Sequence, residues 1–155
     1  MQTHSIRPIA LALLVVAALA VALYRGWPLR FPEVAVTAPL NPACDLLSGP
    51  CRVVFSEGGA VRFGIAPRPI PIVHPLRLRV ETRGIAVDAV EVDFVGTNMD
   101  MGFNRVALQP GGGNTFVGEG MLPVCVRARM QWEARVMLQT PEALWVAPFR
   151  FETVR

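Results

Sequence analysis

Lysine is absent from this chain, and all fifteen basic side chains are arginine. Histidine is nearly absent too, with His4 and His74 as its two occurrences. Each gap excludes a class of chemistry. Two histidines so far apart cannot supply the usual spacing of zinc ligands. With His74 alone beyond the N-terminal segment, no histidine is placed to activate a serine or cysteine nucleophile. No Cys-x-x-Cys pair is present to form a dithiol redox centre. The Gly111-Gly112-Gly113 run has neither a lysine nor a helix pattern after it, so it is a hairpin tip and not a phosphate loop. Asp93, Asp100 and Glu119 lie near turns, but nothing implies the pocket that paired carboxylates need for acid–base work. The chain therefore reads as non-catalytic. A net charge of +3 does not point to nucleic acid either. From Arg25 onward fourteen arginines face twelve acidic residues, and the arginines alternate along strand patterns without clustering.

Long apolar runs are scarce as well. One occurs, at residues 9–23, extended by Tyr24. Such a run is either the apolar part of an export signal or a short membrane helix. Ala20-Val21-Ala22 would suit cleavage. The length of the run and the Tyr24-Arg25-Gly26-Trp27 sequence at its far end suit an uncleaved anchor, because aromatic residues with arginine favour the membrane–water interface. The expectation is a single-pass anchor over residues 1–25 in a bacterial inner membrane, with the C-terminal domain in the periplasm. Pro28, Pro32, Pro39 and Pro42 then mark residues 26–43 as an extended spacer.

Residues 44–155 read as short strands. Arg52-Val53-Val54-Phe55 and Val61-Arg62-Phe63-Gly64-Ile65 flank a hairpin turn at Ser56-Glu57-Gly58-Gly59. Pro67, Pro69, Pro71 and Pro75 break the next stretch. Leu76, Leu78 and Val80 alternate with Arg77, Arg79 and Glu81, and Val90, Val92 and Phe94 with Glu91 and Asp93. Residues 124–138 alternate longest, with Met130 and Trp132 on the apolar face and Cys125 and Glu133 on the polar one. A last strand runs through Trp145, Ala147, Phe149 and Phe151. About seven to eight strands without an amphipathic helix predict an all-β fold, an immunoglobulin-like β-sandwich following the N-terminal helix, with a small barrel as the alternative.

Three cysteines are present, at 44, 51 and 125. An exported domain meets an oxidising compartment. Cys44 and Cys51 enclose a segment ending in Ser48-Gly49-Pro50, which can fold back and bring the thiols together. This pair is the expected disulfide, contributing about 2.5 kcal/mol on the chain-entropy model. Cys125 is then left over.

The most informative stretch runs from Glu91 to Leu138. Asp88-Ala-Val-Glu-Val-Asp-Phe-Val95 leads into Met99-Asp100-Met101-Gly102, then Gly113-Asn-Thr-Phe116-Val-Gly118-Glu-Gly120-Met121, then Met130-Gln-Trp132. This order resembles the YtkA-like and FixH-like exported domains of bacteria over about residues 76–140. The resemblance implies a membrane-tethered immunoglobulin-like domain, associated with copper or respiratory-oxidase assembly through a protein partner. Where a histidine might follow the Met-Gly turn, this chain has Phe103.

The residues themselves carry a second reading. Cu(I) is soft and favours thioether and thiolate ligands. Met99 and Met101, two apart in extended backbone, would point to the same side, and Cys125 would complete a three-coordinate copper site. Against it stands the ordinary use of methionine to fill irregular gaps, with Gly102 simply supplying the turn.

Overall fold

The computed structural model describes residues 6–26, 34–124 and 127–154. They belong to two units, Met1–Glu33 and Val34–Arg155. In the first, α1 spans Ile6–Gly26. Pro8 lies in its first turn, where a missing N–H breaks no helical bond. Side chains are described over residues 11–22, and all of them are exposed. The helix falls where the anchor was expected. Among the described residues, however, no helix is long and apolar enough to cross a membrane.

The second unit is all-β. Its strands are β1 (Val34–Thr37), β2 (Cys51–Val54), β3 (Ala60–Ala66), β4 (Leu76–Arg83), β5 (Ala89–Gly96), β6 (Arg105–Pro110), β7 (Thr115–Gly120), β8 (Arg129–Gln139) and β9 (Leu144–Val154). They follow one hydrogen-bonded order, β1-β9-β8-β5-β6-β7-β4-β3-β2. β6 joins the two halves. Its first residues pair with β5, and Gln109 and Pro110 pair with β7. The halves close on a shared core. Phe63 of β3 packs 5.3 Å from Phe149 of β9, centroid to centroid, and Phe55 meets Trp145 edge-on at 4.9 Å. Trp132 is fully buried, and its indole N–H donates to the Thr153 hydroxyl at 2.9 Å. That bond satisfies the one polar atom that burying a tryptophan would otherwise strand. The described core lies entirely in this unit.

Local sequence explains most elements. Leu76, Leu78 and Val80 are buried while Arg77 and Arg79 face out, as period-two alternation requires. The β2–β3 hairpin turns at Gly58 and Gly59, whose φ values are +98° and +87°. A Cβ at Gly59 would lie 2.5 Å from the Ile85 side chain, so only glycine fits there.

Four expectations change. Among the described residues there are nine strands rather than seven or eight, because part of the proline-marked spacer, Val34–Thr37, forms β1 and pairs in parallel with β9. Residue 124 lies outside β8, which begins at Arg129, and Cys125 and Val126 lie outside the described residues. Arg129, the first residue of β8, pairs with Val154, the last residue of β9. Glu133, placed on the polar face by alternation, is buried. Arg135 Nε and Arg150 Nε donate to its two carboxylate oxygens at 2.9 and 3.0 Å and cover it. Burial pushes its carboxyl up, but these hydrogen bonds and charges outweigh that and hold it below the usual range. Finally, residues 97–99 bend, so the extended backbone assumed for Met99 to Met101 is not present.

Candidate functional site: the methionine loop

Residues 97–104 connect β5 to β6, and backbone bonds fix both ends of this loop. Thr97 N donates to Gln131 O at 3.0 Å, and Phe94 N to Asn104 O at 2.9 Å. Between them Asp100 Oδ1 accepts from Gly102 N at 2.8 Å. This is a side-chain-capped turn, and Gly102 completes it in the left-handed region at φ +72°. Gly102 therefore has the turn role its sequence suggests.

The loop folds back on Gly96. A Cβ at that position would lie 2.2 Å from Met99 O, 2.3 Å from the Met130 methyl and 3.0 Å from Met101 Cγ. The absence of a side chain at Gly96 is what lets Met101 and Met130 meet there. Met130 is buried and Met101 packs against the core. Met99 contributes its carbonyl to this contact, while its own side chain is 37% exposed. The structure thus brings Met101 and Met130 to the same glycine, and the alternation of β8 gave Met130 only as packing. The missing signal was register: Gly96 pairs with Trp132, which brings the Met loop beside Met130. Cys125 lies outside the described residues. Among the described residues no three His, Cys, Asp or Glu side chains group as a metal site.

Cys44 and Cys51 are joined by a disulfide, S–S 2.06 Å. Asp45 organises the enclosed turn. Its carboxylate accepts from the Ser48 hydroxyl and, at 3.0 Å, from Leu47 N. The Ser48 bond first, then the Leu47 N–H, hold this carboxyl below its ordinary value. Leu46 is completely buried, and Arg68 Nε donates to its carbonyl at 3.2 Å. All of these contacts are structural.

The carboxylates noted near turns do not converge. Asp93 pairs with Arg105 at 3.2 Å, Asp100 caps the Gly102 turn, and Glu119 stands opposite Arg77. What does converge is apolar. The Asn104 amide donates to Met121 O at 2.9 Å, and Val73 N donates to Leu122 O at 2.8 Å. Residues 121–122 thereby tie the methionine loop to the loop holding Val73. This end exposes Met99, Met121, Val73 and Val124, with Phe103 81% exposed. The Arg105 guanidinium stands 5.0 Å from the Phe103 ring centroid, within cation–π range. Val73 holds φ at +58°, a region β-branched residues avoid at a cost of about 1–3 kcal/mol. Exposed apolar side chains thus come from three loops at this end of the domain. Alternation could not reveal this grouping, because it is built from three loops. No family model matches this chain, and no curated protein and no solved structure matches it either.

Proposed function

We propose that this is a membrane-anchored, periplasm-facing binding module with an immunoglobulin-like sandwich, and that its loop end docks a protein partner during assembly of a copper or respiratory complex. The observation that carries the reading is Phe103, a large aromatic left 81% exposed, with Met99, Met121, Val124 and Val73 also exposed. Aromatic and methionine side chains with a neighbouring arginine are the composition of binding hot spots. The anchor reading rests on the sequence, where residues 9–23 form an unbroken apolar run. Between Arg7 and Arg25 it carries no charge. The motif resemblance to exported YtkA-like and FixH-like domains points the same way. To test the docking, membranes holding the full chain are solubilised gently and resolved by native electrophoresis. The chain is expected in a species heavier than itself, and Phe103→Ser/Met121→Ser should return it to its own mass. Co-migration of variant and wild type would refute the docking surface.

A second reading, Cu(I) handling, is favoured by one observation: Met101 and Met130 approach each other at Gly96. Thioethers suit a soft monovalent ion. Its ligands would be Met99 and Met101, with Met130 near Met101 at Gly96, and Cys125, which lies outside the described residues. Titration of residues 34–155 with Cu(I) under competition should give a dissociation constant tighter than micromolar, lost in Met99→Leu/Met101→Leu. Weaker binding, or equal binding by that variant, contradicts it.

A further inference from the structure

The outer face of β3, β4 and β7 carries a groove of about 540 Å³. Its form follows from residue size and register. Gly64 stands beside Arg79 and Ala66 beside Arg77. The outward positions of β3 therefore carry little side chain where those of β4 carry the longest. On the other flank Arg79 faces Val117 and Arg77 faces Glu119. Pro50 lies over one end: a Cβ at Gly64 would sit 3.2 Å from its ring atoms. The result is a trough lined by apolar residues together with four arginines, Arg62, Arg68, Arg77 and Arg79.

Two carboxylates, Glu81 and Glu119, line the same groove, so the surplus is two positive charges. Glu81 is already shared. Arg79 Nε donates to it at 2.8 Å and Arg62 pairs with it at 3.6 Å. The Arg79 hydrogen bond, with the charges of both arginines, holds its carboxyl below the ordinary range. Arg68 commits its Nε to Leu46 O. Arg77 has no ion-pair or hydrogen-bond partner among the described residues. An unpaired arginine is ordinary on a flat surface. Above an apolar trough of ligand size, roughly 300–1,000 Å³ in known sites, it is a binding feature.

We propose that this groove binds an anionic amphiphile, with a carboxylate or phosphate head on Arg77 and Arg68 and a short apolar chain laid along Gly64, Ala66 and Val117. The planar guanidinium offers paired donors that match either head group. The chain excludes water from the head-group contacts, which strengthens them. The head could belong to a free acid or to a membrane lipid, and the test separates the two. This site uses different residues from the loop end and stands independently of it.

Residues 34–155 contain the whole described core and serve as the test protein. They are titrated with hexyl phosphate below its micelle concentration, and with hexanol and inorganic phosphate separately. Hexyl phosphate is expected to bind with a sub-millimolar dissociation constant, tighter than either part alone. Arg77→Gln should weaken it about tenfold or more. Arg83→Gln, on the same strand but outside the groove, should leave it unchanged. Both variants should unfold at the wild-type midpoint, since these side chains are exposed. Phosphatidylglycerol vesicles, with phosphatidylcholine as control, then identify the source. Vesicle binding removed by Arg77→Gln assigns the head to a lipid, and hexyl phosphate binding without vesicle binding assigns it to a free amphiphile. Equal affinity for hexanol, equal binding by Arg77→Gln, or no binding at all overturns the proposal.

Discussion

Two sulfur-bearing loops of this domain are built in opposite ways. The segment from Cys44 to Cys51 is closed by a disulfide, organised by Asp45, and plugged by a completely buried Leu46. The loop at residues 97–104 is held at its ends and by one side-chain turn, with Met101 alone reaching inward to Met130. The first directs its large apolar group into the core, whereas the second leaves Phe103 in solvent. Sulfur oxidised to a bridge removes conformational freedom from the unfolded chain. Thioethers keep theirs and adapt to what they touch. On the proposed function, one loop serves stability and the other contact.

The sharpest way to break that assignment is at the buried plug. Leu46→Ala should cost about 2–5 kcal/mol, the range for emptying a fully buried leucine site. Thermal or urea unfolding of residues 34–155 measures it, and a loss below 1 kcal/mol would show the stapled loop to be dispensable. Next is the bridge itself. Cys44→Ser/Cys51→Ser should lower stability by about 2.5 kcal/mol on the chain-entropy model. The smaller effect is electrostatic. Asp45 and Glu81 have carboxyls held below their ordinary values. A depressed folded value means stability present above the unfolded value, near pH 4, and lost as the pH falls through the folded one. The unfolding midpoint should therefore hold steady from pH 7 to 5 and fall below about pH 4. Asp45→Asn should flatten part of that acid limb, and an unchanged limb would remove Asp45 from the account.

Much of the fold was legible because it is local. Alternation along β4 and β5 placed Leu78, Val80, Val90, Val92 and Phe94 correctly in the core. The Gly58-Gly59 turn and the Cys44–Cys51 bridge depend on residues within a short reach of each other. What was hidden depends on distant partners. β1 is four residues among prolines, and it becomes a strand only because β9 arrives beside it from the far end of the chain. Glu133 is buried by two arginines laid over it, one from its own strand and one from β9. Met130 joins Met101 through the β5–β8 register, and the groove depends on setting Gly64 beside Arg79. For Glu133 and Met130 period-two reasoning assigned the face, and neighbours from other strands determined what that face does.

The central claim is that the methionine loop is a contact surface while the disulfide loop is not. Photo-crosslinking in intact membranes tests it most directly. A photoreactive phenylalanine analogue is placed at position 103 in one chain and at the exposed position Leu47 of the stapled loop in another. A discrete adduct of one added mass at 103, with none at 47, is the predicted result. Adducts of the same mass from both positions, or none from 103 in a folded chain, would contradict the account.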